Sequence, residues 1–500
     1  MEKGIKESVG DSKKRGCKSN GSKKSNMSLT EGRIASAIIR YTLPLIGASL
    51  IQQLYSTVDF IFAGQFIGKE ATAAIGATGL IVTCLIVFFN GLATGNSILT
   101  AQYYGAGKVH SITALMSVML KFSLIGGILL TIVGFFMTPV FLRWVGTPDE
   151  IMGQAIQYLR IYVLSMTGIV SYNMCGGMIR ALGDSKNPLF MQVIGSLVNL
   201  MGNTVFVVLF SFGVSGVAWA TFCSQNIAAA AMVGLLLKKK KALENFQTEG
   251  KYQDGSVLHT ERTEADRGKL QENLKPKWQS LIGAVMKIGI PAGIQSMSIT
   301  FSNILMQSQI NRLGVDSIAA FACYFKVEMI IYLPVLALAQ TMVTFTGQNY
   351  GAGQFDRLRK GCVWCMFMGL AVTVLIAVMV IVFNEPVLSI FTKSPEVIHI
   401  AAQILVIAFT SYFLYMIIEG ISAVMRGFGD SLSPMVVTII CFCFVKVAAL
   451  FYFAHRYHTA KGMALCYPVS WTIAALLLAI LLVRKVKKWK KDFRASTVVQ

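Results

Sequence analysis

Three polar side chains follow one face of the first long apolar segment of the chain. Gln52, Ser56 and Asp59 are spaced i, i+4 and i+7, a spacing that stacks side chains on one face of an α-helix. A carboxylate among apolar residues is unfavourable, so this face must contact protein or a water-filled cavity. The alternative is a carboxylate near the helix end that reaches toward the surface. Alignment with two other polar residues favours the cavity.

Further oxygen-bearing side chains occur in two later apolar segments. Asn199 and Asn203 are four residues apart and share a helix face, and Thr221 lies in the following segment. Together with Asp59 they supply the hard oxygen ligands that suit a small cation. Amide and hydroxyl groups also join buried helices by hydrogen bonds. The residues alone leave both interpretations open.

The corresponding polar stripe in the second half of the chain carries no acid. It contains Gln295 and Asn303, whereas the carboxylates of this half, Glu328 and Glu419, lie in later apolar segments. The two halves therefore differ in chemistry. Six residues are candidates for lining a ligand cavity: Gln52, Ser56, Gln295, Asn303, Glu328 and Glu419.

The elements that position these residues are membrane-spanning helices. Apolar residues make up 54% of the chain and charged residues 14%, whereas a soluble domain carries about 25% charged residues. The apolar runs are long and do not alternate with polar residues, which excludes a β-barrel. We predict an all-α polytopic membrane protein with twelve transmembrane helices at about 34–58, 71–100, 112–137, 152–179, 189–210, 215–237, 280–310, 318–346, 360–383, 397–424, 435–454 and 462–483.

The chain contains an internal repeat. Gln102 precedes Tyr-Gly-Ala-Gly and returns as Gln348 before the same four residues. Arg180 precedes Gly-Asp-Ser and returns as Arg426, so both landmarks share an offset of 246 (348 − 102 and 426 − 180). Six helices in each half place the two repeats in the same orientation, as lobes related by a pseudo-two-fold axis along the membrane normal. The predicted units are a disordered basic N-terminus (1–33), an N-lobe (34–237), a linker (238–279), a C-lobe (280–483) and a basic tail (484–500).

Basic residues are concentrated in the N-terminal segment, in the central insert that opens with Lys238–Lys241, and in the C-terminal tail. An even number of spans places these segments on one side, and the positive-inside rule makes that side cytoplasmic. The same residues predict contact with anionic membrane lipids. They flank helices without interleaved aromatic residues, so nucleic acid is not an expected partner.

Motifs for enzymatic chemistry are absent from the sequence. It has no HExxH, no Gly-x-Ser-x-Gly and no Walker motif, so neither hydrolysis nor ATP-driven work is expected, and the chain is not predicted to be an enzyme. Cys362 and Cys365 form a CxxC without a second pair or a nearby His, so we expect no metal site of this kind and no cofactor.

The doubled Gln-x-Tyr-Gly-Ala-Gly and Arg-x-x-Gly-Asp-Ser-x-x-Pro elements resemble the multidrug and toxic compound extrusion (MATE) family, bacterial type, over roughly 34–485. The resemblance implies a V-shaped pair of lobes in the bacterial cytoplasmic membrane that exports amphipathic or cationic compounds in exchange for Na⁺ or H⁺, and a monomer. It also implies that Asp59 matches an aspartate needed for ion coupling. Asn199 and Thr221 match further family positions, whereas Asn203 replaces the usual acid.

Two other functions are compatible with a bundle of this kind. A lipid-linked oligosaccharide flippase of the same superfamily would need several Arg or Lys residues along its cavity, and the predicted cavity faces are mainly Gln, Asn, Ser and acid. An integral membrane enzyme or receptor is disfavoured by the doubled motifs and by the missing catalytic residues. Efflux by antiport is therefore the favoured function.

Overall fold

The structure, a computed structural model, describes residues 29–248 and 278–498, which are helical apart from short connections. Within these two ranges it contains no β-strand. Residues 1–28 of the predicted disordered N-terminus and the middle of the predicted linker lie outside the described residues.

Each half of the chain folds into six helical spans. Those of the N-lobe are α1 (Ile34–Ile67), α2 (Lys69–Gly105), α3 (Val109–Trp144), α4 (Asp149–Leu164 and Met166–Ala181), α5 (Lys186–Leu209) and α6 (Val214–Thr248). Those of the C-lobe are α7 (Trp278–Leu313), α8 (Val315–Gly351), α9 (Phe355–Val382), α10 (Pro395–Gly427), α11 (Leu432–Tyr457) and α12 (Ala460–Ala464 and Cys466–Val498). A short helix, Asn384–Ser389, connects α9 to α10.

The predicted fold class is confirmed. Among the described residues, 11 helices are long and apolar enough to cross a membrane. The twelfth span is α4, whose two segments are separated by a turn at Ser165, where the hydroxyl bonds to the Tyr162 carbonyl oxygen at 2.5 Å. The chain is therefore a multi-pass membrane protein.

Two helices continue beyond the predicted lobe boundaries. The sixth span continues to Thr248 instead of ending at 237, and the twelfth continues to Val498 instead of 483. Hydropathy marks where a helix leaves the apolar layer, whereas helix propensity decides where it unwinds, and Lys, Ala, Leu and Glu favour helix. In α6 the pair Lys240 and Glu244 adds an i,i+4 ion pair of 3.6 Å.

The repeated Gly-Asp-Ser elements form matching turns after α4 and α10. Gly183 and Gly429 have φ of +89° and +91°, which glycine adopts readily at a helix C-terminus. The aspartates that follow, Asp184 and Asp430, each bind a lysine near the end of the sixth span of their lobe. Asp184 Oδ2 lies 2.8 Å from Lys239 Nζ, and Asp430 pairs with Lys485. These two lysines obey the same offset of 246 (485 − 239), so the repeat extends to ion pairs.

The lobes are joined at one end of the bundle, where α1 begins and α2 and α8 end; we call this the basal end. Gln102 Nε2 donates a hydrogen bond to the Gly427 carbonyl oxygen at 2.9 Å, and Gln348 Nε2 donates to the Ala181 carbonyl oxygen at 2.7 Å. Each glutamine thus binds the last turn of a helix in the opposite lobe. We call this reciprocal pair of bonds the basal latch.

The repeated Tyr-Gly-Ala-Gly turns bring the backbones of the two lobes into close contact beside the latch. A Cβ atom on Gly105 would overlap the Gln348 carbonyl, and one on Gly351 would overlap the Gln102 carbonyl. Glycine is therefore required at both positions by the contact between lobes. The repeated motif joins the lobes as well as forming a turn within each of them.

The segment before α1 crosses from the N-lobe to the C-lobe. Leu29 is fully buried in the C-lobe core, and its backbone N–H donates to Gln348 Oε1 at 3.1 Å. Arg357 of α9 donates to the carbonyl oxygens of Gly32 at 2.8 Å and Glu31 at 2.7 Å. Residues 29–33, assigned from sequence to the disordered N-terminus, are therefore ordered against α8 and α9.

Candidate functional site

The four residues predicted to form a cation site lie together in the N-lobe. Asn203 Nδ2 donates to Asp59 Oδ1 at 2.6 Å, and the Thr221 hydroxyl donates to Asp59 Oδ2 at 3.3 Å. Asn203 Nδ2 also lies 3.2 Å from Asn199 Oδ1. Helices α1, α5 and α6 therefore converge here, and we call this group the N-lobe cluster.

The N-lobe cluster is shielded from solvent. Asp59 is 8% exposed, and Asn199, Asn203 and Thr221 are almost fully buried. A carboxylate in such a place needs strong hydrogen bonds or a bound cation. Asp59 is therefore not a carboxylate reaching the surface from a helix end.

One acceptor in the N-lobe cluster has no partner among the described residues. It is Asn203 Oδ1, which is buried together with the likewise unpartnered Asn199 Nδ2. A buried carbonyl oxygen without a donor beside a carboxylate is a suitable ligand for a small cation. The cluster offers one carboxylate, two amide oxygens and one hydroxyl, a set that fits one monovalent cation or one proton on Asp59.

Helix α1 connects the N-lobe cluster to a cavity between the lobes. This central cavity has a volume of about 210 Å³, and Gln52 of α1 and Gln340 of α8 are among its lining residues. Between Gln52 and Asp59, the Tyr55 hydroxyl lies 3.1 Å from Ser224 Oγ of α6. Seven residues of helix separate Gln52 from Asp59, which corresponds to roughly 10 Å along the axis.

The basal half of α1 contacts the opposite lobe. The Tyr41 hydroxyl lies 2.8 Å from the Arg180 carbonyl oxygen and 3.2 Å from Thr344 Oγ1, and the Thr42 and Thr341 hydroxyls are 2.8 Å apart. A single helix therefore contributes to the N-lobe cluster, to the central cavity and to the contact between lobes.

The remaining cavity candidates of α1 and α7 differ in their surroundings. Ser56 bonds within its own helix, to the Gln52 carbonyl oxygen at 3.4 Å. Gln295 is 2% exposed and donates to Thr438 Oγ1 of α11 at 3.1 Å, so it joins two helices of the C-lobe. Gln52 lines the central cavity, whereas neither Ser56 nor Gln295 is among its lining residues.

The two glutamates predicted to line a cavity, Glu328 and Glu419, have separate environments. Glu328 lines a second cavity together with Asn303, and its Oε1 accepts a hydrogen bond from the Tyr412 hydroxyl at 3.4 Å. Glu419 forms an ion pair with Arg426 of the same helix, with Oε2 and Nη2 3.0 Å apart. Glu419 thus has a charged partner on its own helix, whereas Glu328 faces a cavity.

Two charged residues at the cavities were not among the candidates selected from the sequence. Arg180 lines the central cavity, and Lys446 lines the C-lobe cavity with Glu328. The sequence signal for Lys446 is its place near the middle of α11, where a lysine is too far from the helix ends to reach water. The signal for Arg180 was its repetition as Arg426, which indicated a helix end but not a cavity.

Comparisons with known proteins agree with this fold and its internal repeat. A family model described as MatE matches residues 44–205 and 291–451, one segment in each lobe. The chain is 27% identical over 443 residues to the "Probable multidrug resistance protein YoeA" of Bacillus subtilis, covering 88% of this chain and 91% of that protein. It is 22% identical over 451 residues to a "FAD transporter" of Shewanella oneidensis, covering 88% of this chain and 93% of that protein.

Solved structures show the same architecture. One described as an outward-facing conformation of a multidrug resistance MATE family transporter of the MOP superfamily superposes with a TM-score of 0.82 at 21% identity, covering 94% of this chain and 100% of that chain. Another, described as MATE in the bent conformation, gives a TM-score of 0.82 at 21% identity over 94% of this chain and 99% of that chain. Because the family model matches more than half of the chain and falls within both lobes, the protein belongs to the MatE family of multidrug and toxic compound extrusion (MATE) transporters.

Proposed function

We propose that this transporter is a secondary active antiporter that exports amphipathic, cationic organic compounds in exchange for Na⁺ or H⁺. The observation that carries the proposal is the buried N-lobe cluster, in which Asp59 lies beside an amide oxygen without a partner among the described residues. Binding of one cation or one proton neutralises this carboxylate. The charge of the site therefore changes during a transport cycle.

Helix α1 is the element through which the change at Asp59 reaches the substrate and the opposite lobe. It carries Asp59 in the N-lobe cluster, Gln52 in the central cavity, and Tyr41 beside Thr344 of the C-lobe. A shift of α1 on neutralisation of Asp59 changes the shape of the cavity and loosens a contact between lobes. Antiport requires that ion and substrate act on one shared element, and α1 meets this requirement.

We place the protein in the bacterial cytoplasmic membrane with the basal end toward the cytoplasm. The concentration of Lys and Arg in the segments at this end supports the orientation. The basal latch joins the lobes on that side, and the similar solved structure is described as outward-facing. The described conformation thus corresponds to a state closed toward the cytoplasm.

The proposal is tested by export of ethidium from cells that express the protein. We expect imposed Na⁺ or proton gradients to drive export in wild type, and Asp59→Asn to abolish the gradient dependence while the protein still inserts. The matched control is Asp316→Asn, because Asp316 is an exposed carboxylate at the start of α8. Gradient-driven export that persists in Asp59→Asn would contradict the proposal.

A second candidate function is export of organic anions. Arg180 is the charged side chain among the described residues that line the central cavity, and the rest of the lining is neutral. One of the similar proteins is named a FAD transporter. A lipid-linked oligosaccharide flippase would need several Arg or Lys residues along its cavity, and among the described lining residues Arg180 is the only basic one, so the flippase remains less favoured.

The variant Arg180→Gln distinguishes export of organic anions from export of organic cations. If the cavity accepts anions, this variant should lower the amount of flavin nucleotide that cells release while leaving ethidium export unchanged. The matched control, Arg160→Gln, changes an arginine of α4 that stacks 5.1 Å from the Phe135 ring, outside the central cavity. Flavin release equal to that of wild type in Arg180→Gln would exclude the second candidate.

A further inference from the structure

The C-lobe contains a cavity with largely aromatic walls. Its volume is about 170 Å³, and its lining combines Glu328 and Lys446 with rings that include Tyr412, Tyr415 and Trp471. The centroids of the Tyr412 and Tyr415 rings lie 5.3 Å and 5.4 Å from that of Trp471, with the first pair edge-to-face and the second tilted. We call this space the C-lobe cavity.

Lys446 extends into this cavity from the middle of a membrane span. It is 2% exposed and lies 14 residues after Leu432 (446 − 432) and 11 before Tyr457 (457 − 446), the ends of α11. Eleven residues of helix span roughly 16 Å, which a lysine side chain cannot bridge to reach water at a membrane surface. The ammonium group is therefore held inside the protein.

The contacts of Lys446 are those of a bound organic cation. Its Nζ donates to Asn303 Oδ1 at 2.9 Å and lies 4.8 Å from the centroid of the Tyr467 ring. Lys446 forms no direct ion pair with Glu328 among the described residues, although both line the same cavity. An amide oxygen, an aromatic face and a nearby carboxylate are the groups that bind ammonium ions in aromatic cages.

Lys446 lies in the C-lobe at the position that corresponds, through the internal repeat, to the N-lobe cluster. Thr221 of that cluster corresponds to Tyr467 (221 + 246), and Asn199 corresponds to residue 445 (199 + 246), one position before Lys446. The structure accounts for the difference of one residue, because α11 is π-helical at Ile439–Val445, directly before Lys446. A π-turn takes up one additional residue, so that the next residue faces inward.

We propose that the C-lobe cavity is a binding site for small alkylammonium ions that the chain occupies with its own Lys446. Lys446 then determines specificity: it excludes external cations from the C-lobe and leaves the N-lobe cluster as the site that exchanges an ion. The binding of alkylammonium ions to the C-lobe does not rest on the proposed function, whereas the assignment of ion exchange to the N-lobe cluster does.

The first test measures binding of tetramethylammonium to the purified full-length protein by isothermal titration calorimetry. We expect Lys446→Ala, which removes the charge and empties the space that the side chain fills, to bind the ion at least tenfold more tightly than wild type. The double variant Lys446→Ala with Glu328→Gln should lose this gain, and Lys446→Arg should behave as wild type. Equal affinity in wild type and in folded Lys446→Ala would overturn the proposal.

The second test replaces the tethered cation with a free one. Lys446→Ala should melt at a lower temperature than wild type, and ethylammonium chloride should restore the melting temperature with saturable dependence on concentration. Sodium chloride at the same ionic strength is the control for general salt effects. A shift of equal size in wild type and in Lys446→Ala, or no shift in the variant, would contradict a vacated ammonium site. If Lys446→Ala does not fold without ethylammonium, recovery of folded protein when ethylammonium is added would support the proposal, and no recovery would contradict it.

Discussion

The amide at Asn203 determines how many charges the N-lobe cluster carries. Its Nδ2 lies 2.6 Å from Asp59 Oδ1, so the present cluster contains one carboxylate and a donor that stabilises it. An acid at position 203 would place a second carboxylate within hydrogen-bond distance of the first. Two carboxylates so close cannot both remain ionised unless a proton or a cation lies between them.

We therefore predict that Asn203→Asp makes export depend more steeply on pH and on Na⁺, with the optimum shifted to higher pH. The measurement is the initial rate of ethidium export at a series of pH values and Na⁺ concentrations. Asn226→Asp introduces the same charge on α6 outside the cluster, where the amide bonds to the Phe222 carbonyl oxygen at 2.8 Å, and should leave both dependences unchanged. Identical profiles for Asn203→Asp and wild type would mean that Asn203 only joins helices.

Among the elements, the turn between α4 and α5 is tied to the end of α6 through Asp184. Burial raises the pKa of this carboxyl, but the hydrogen bonds from Lys239 and Asn187 outweigh it, so the pKa lies below its ordinary value. A carboxyl whose pKa is lower in the folded than in the unfolded state stabilises the fold above the unfolded pKa of about 4. This contribution is lost as the pH falls through the folded-state pKa.

We predict that Asp184→Asn lowers the free energy of unfolding at pH 7 by about 1–3 kcal/mol, the range for a hydrogen bond to a charged group. The loss should shrink as the pH falls below about 4, because wild type then also loses the charge. Thermal unfolding of purified wild type and Asp184→Asn at several pH values measures this loss of stability. Asp316→Asn is the matched control, since its carboxylate is exposed. A loss of stability that is the same at every pH would show that the charge is not responsible.

The basal latch links helices of opposite lobes, so it should bias the balance between conformations. Each bond from Gln102 or Gln348 joins the two lobes in the described state and must break when the lobes separate at this end. A hydrogen bond contributes about 1 kcal/mol, which corresponds to roughly fivefold in a conformational equilibrium. The bond from Gln348 is also supported by Leu29, which donates to its Oε1 at 3.1 Å.

We predict that Gln102→Ala and Gln348→Ala each increase hydrogen exchange in the turns at 103–108 and 349–354, and that the double variant exchanges faster than either. Hydrogen–deuterium exchange with mass spectrometry of the protein in lipid nanodiscs gives the measurement. Gln354→Ala is the control, because Gln354 lies in the same turn and is exposed. Unchanged exchange in the double variant would show that the latch does not limit opening of the basal end.

At the level of elements, the sequence predicted the spans because the length of an apolar run reports membrane thickness directly. It did not predict that α6 and α12 continue past the apolar layer, because hydropathy carries no information on where a polar helix unwinds. It identified Asp59, Asn199, Asn203 and Thr221 as a set, and the structure brings them together. Each is polar within an apolar helix, a feature that is visible without a structure.

Lys446 was not selected as a cavity residue, although its place within a span is visible in the sequence. Which face of α11 it occupies cannot be predicted from a constant 3.6 residues per turn. The π-helical stretch before it changes which residue faces inward, and nothing in the local sequence of α11 announces that change. Contacts between distant segments could not be predicted from the sequence either. The repetition of Gln102 as Gln348 was evident, but the reach of each side chain across the lobes depends on how the lobes pack.

On the scale of the whole molecule, the two lobes share their framework and differ in their charged centres. The turns, the latch and the pairs of aspartate with lysine obey one offset. The N-lobe holds a carboxylate with an oxygen that lacks a partner among the described residues, whereas the C-lobe holds an ammonium group of its own beside Glu328. In the proposed antiport cycle, both lobes therefore keep the same framework while only the N-lobe cluster exchanges an ion.

The predicted orientation of the whole molecule rests on where its lysines and arginines lie. Lys239 and Lys485 are partly neutralised by ion pairs with Asp184 and Asp430, yet the rule that sets topology counts basic residues rather than net charge. We therefore predict that the central insert and both termini face the cytoplasm. The distal ends of the helices, including the start of α4 at Asp149, should then face outward.

Cysteine labelling in intact cells tests this orientation, in a background without the ten native cysteines. Asp149→Cys should react with a membrane-impermeant maleimide in intact cells, because Asp149 is exposed at the distal end. Ser256→Cys and Ser496→Cys should react only after the cells are permeabilised, because an even number of spans keeps the insert and the C-terminus on the same side. Labelling of either serine position in intact cells would overturn the orientation, and with it the assignment of the basal latch to the cytoplasmic side.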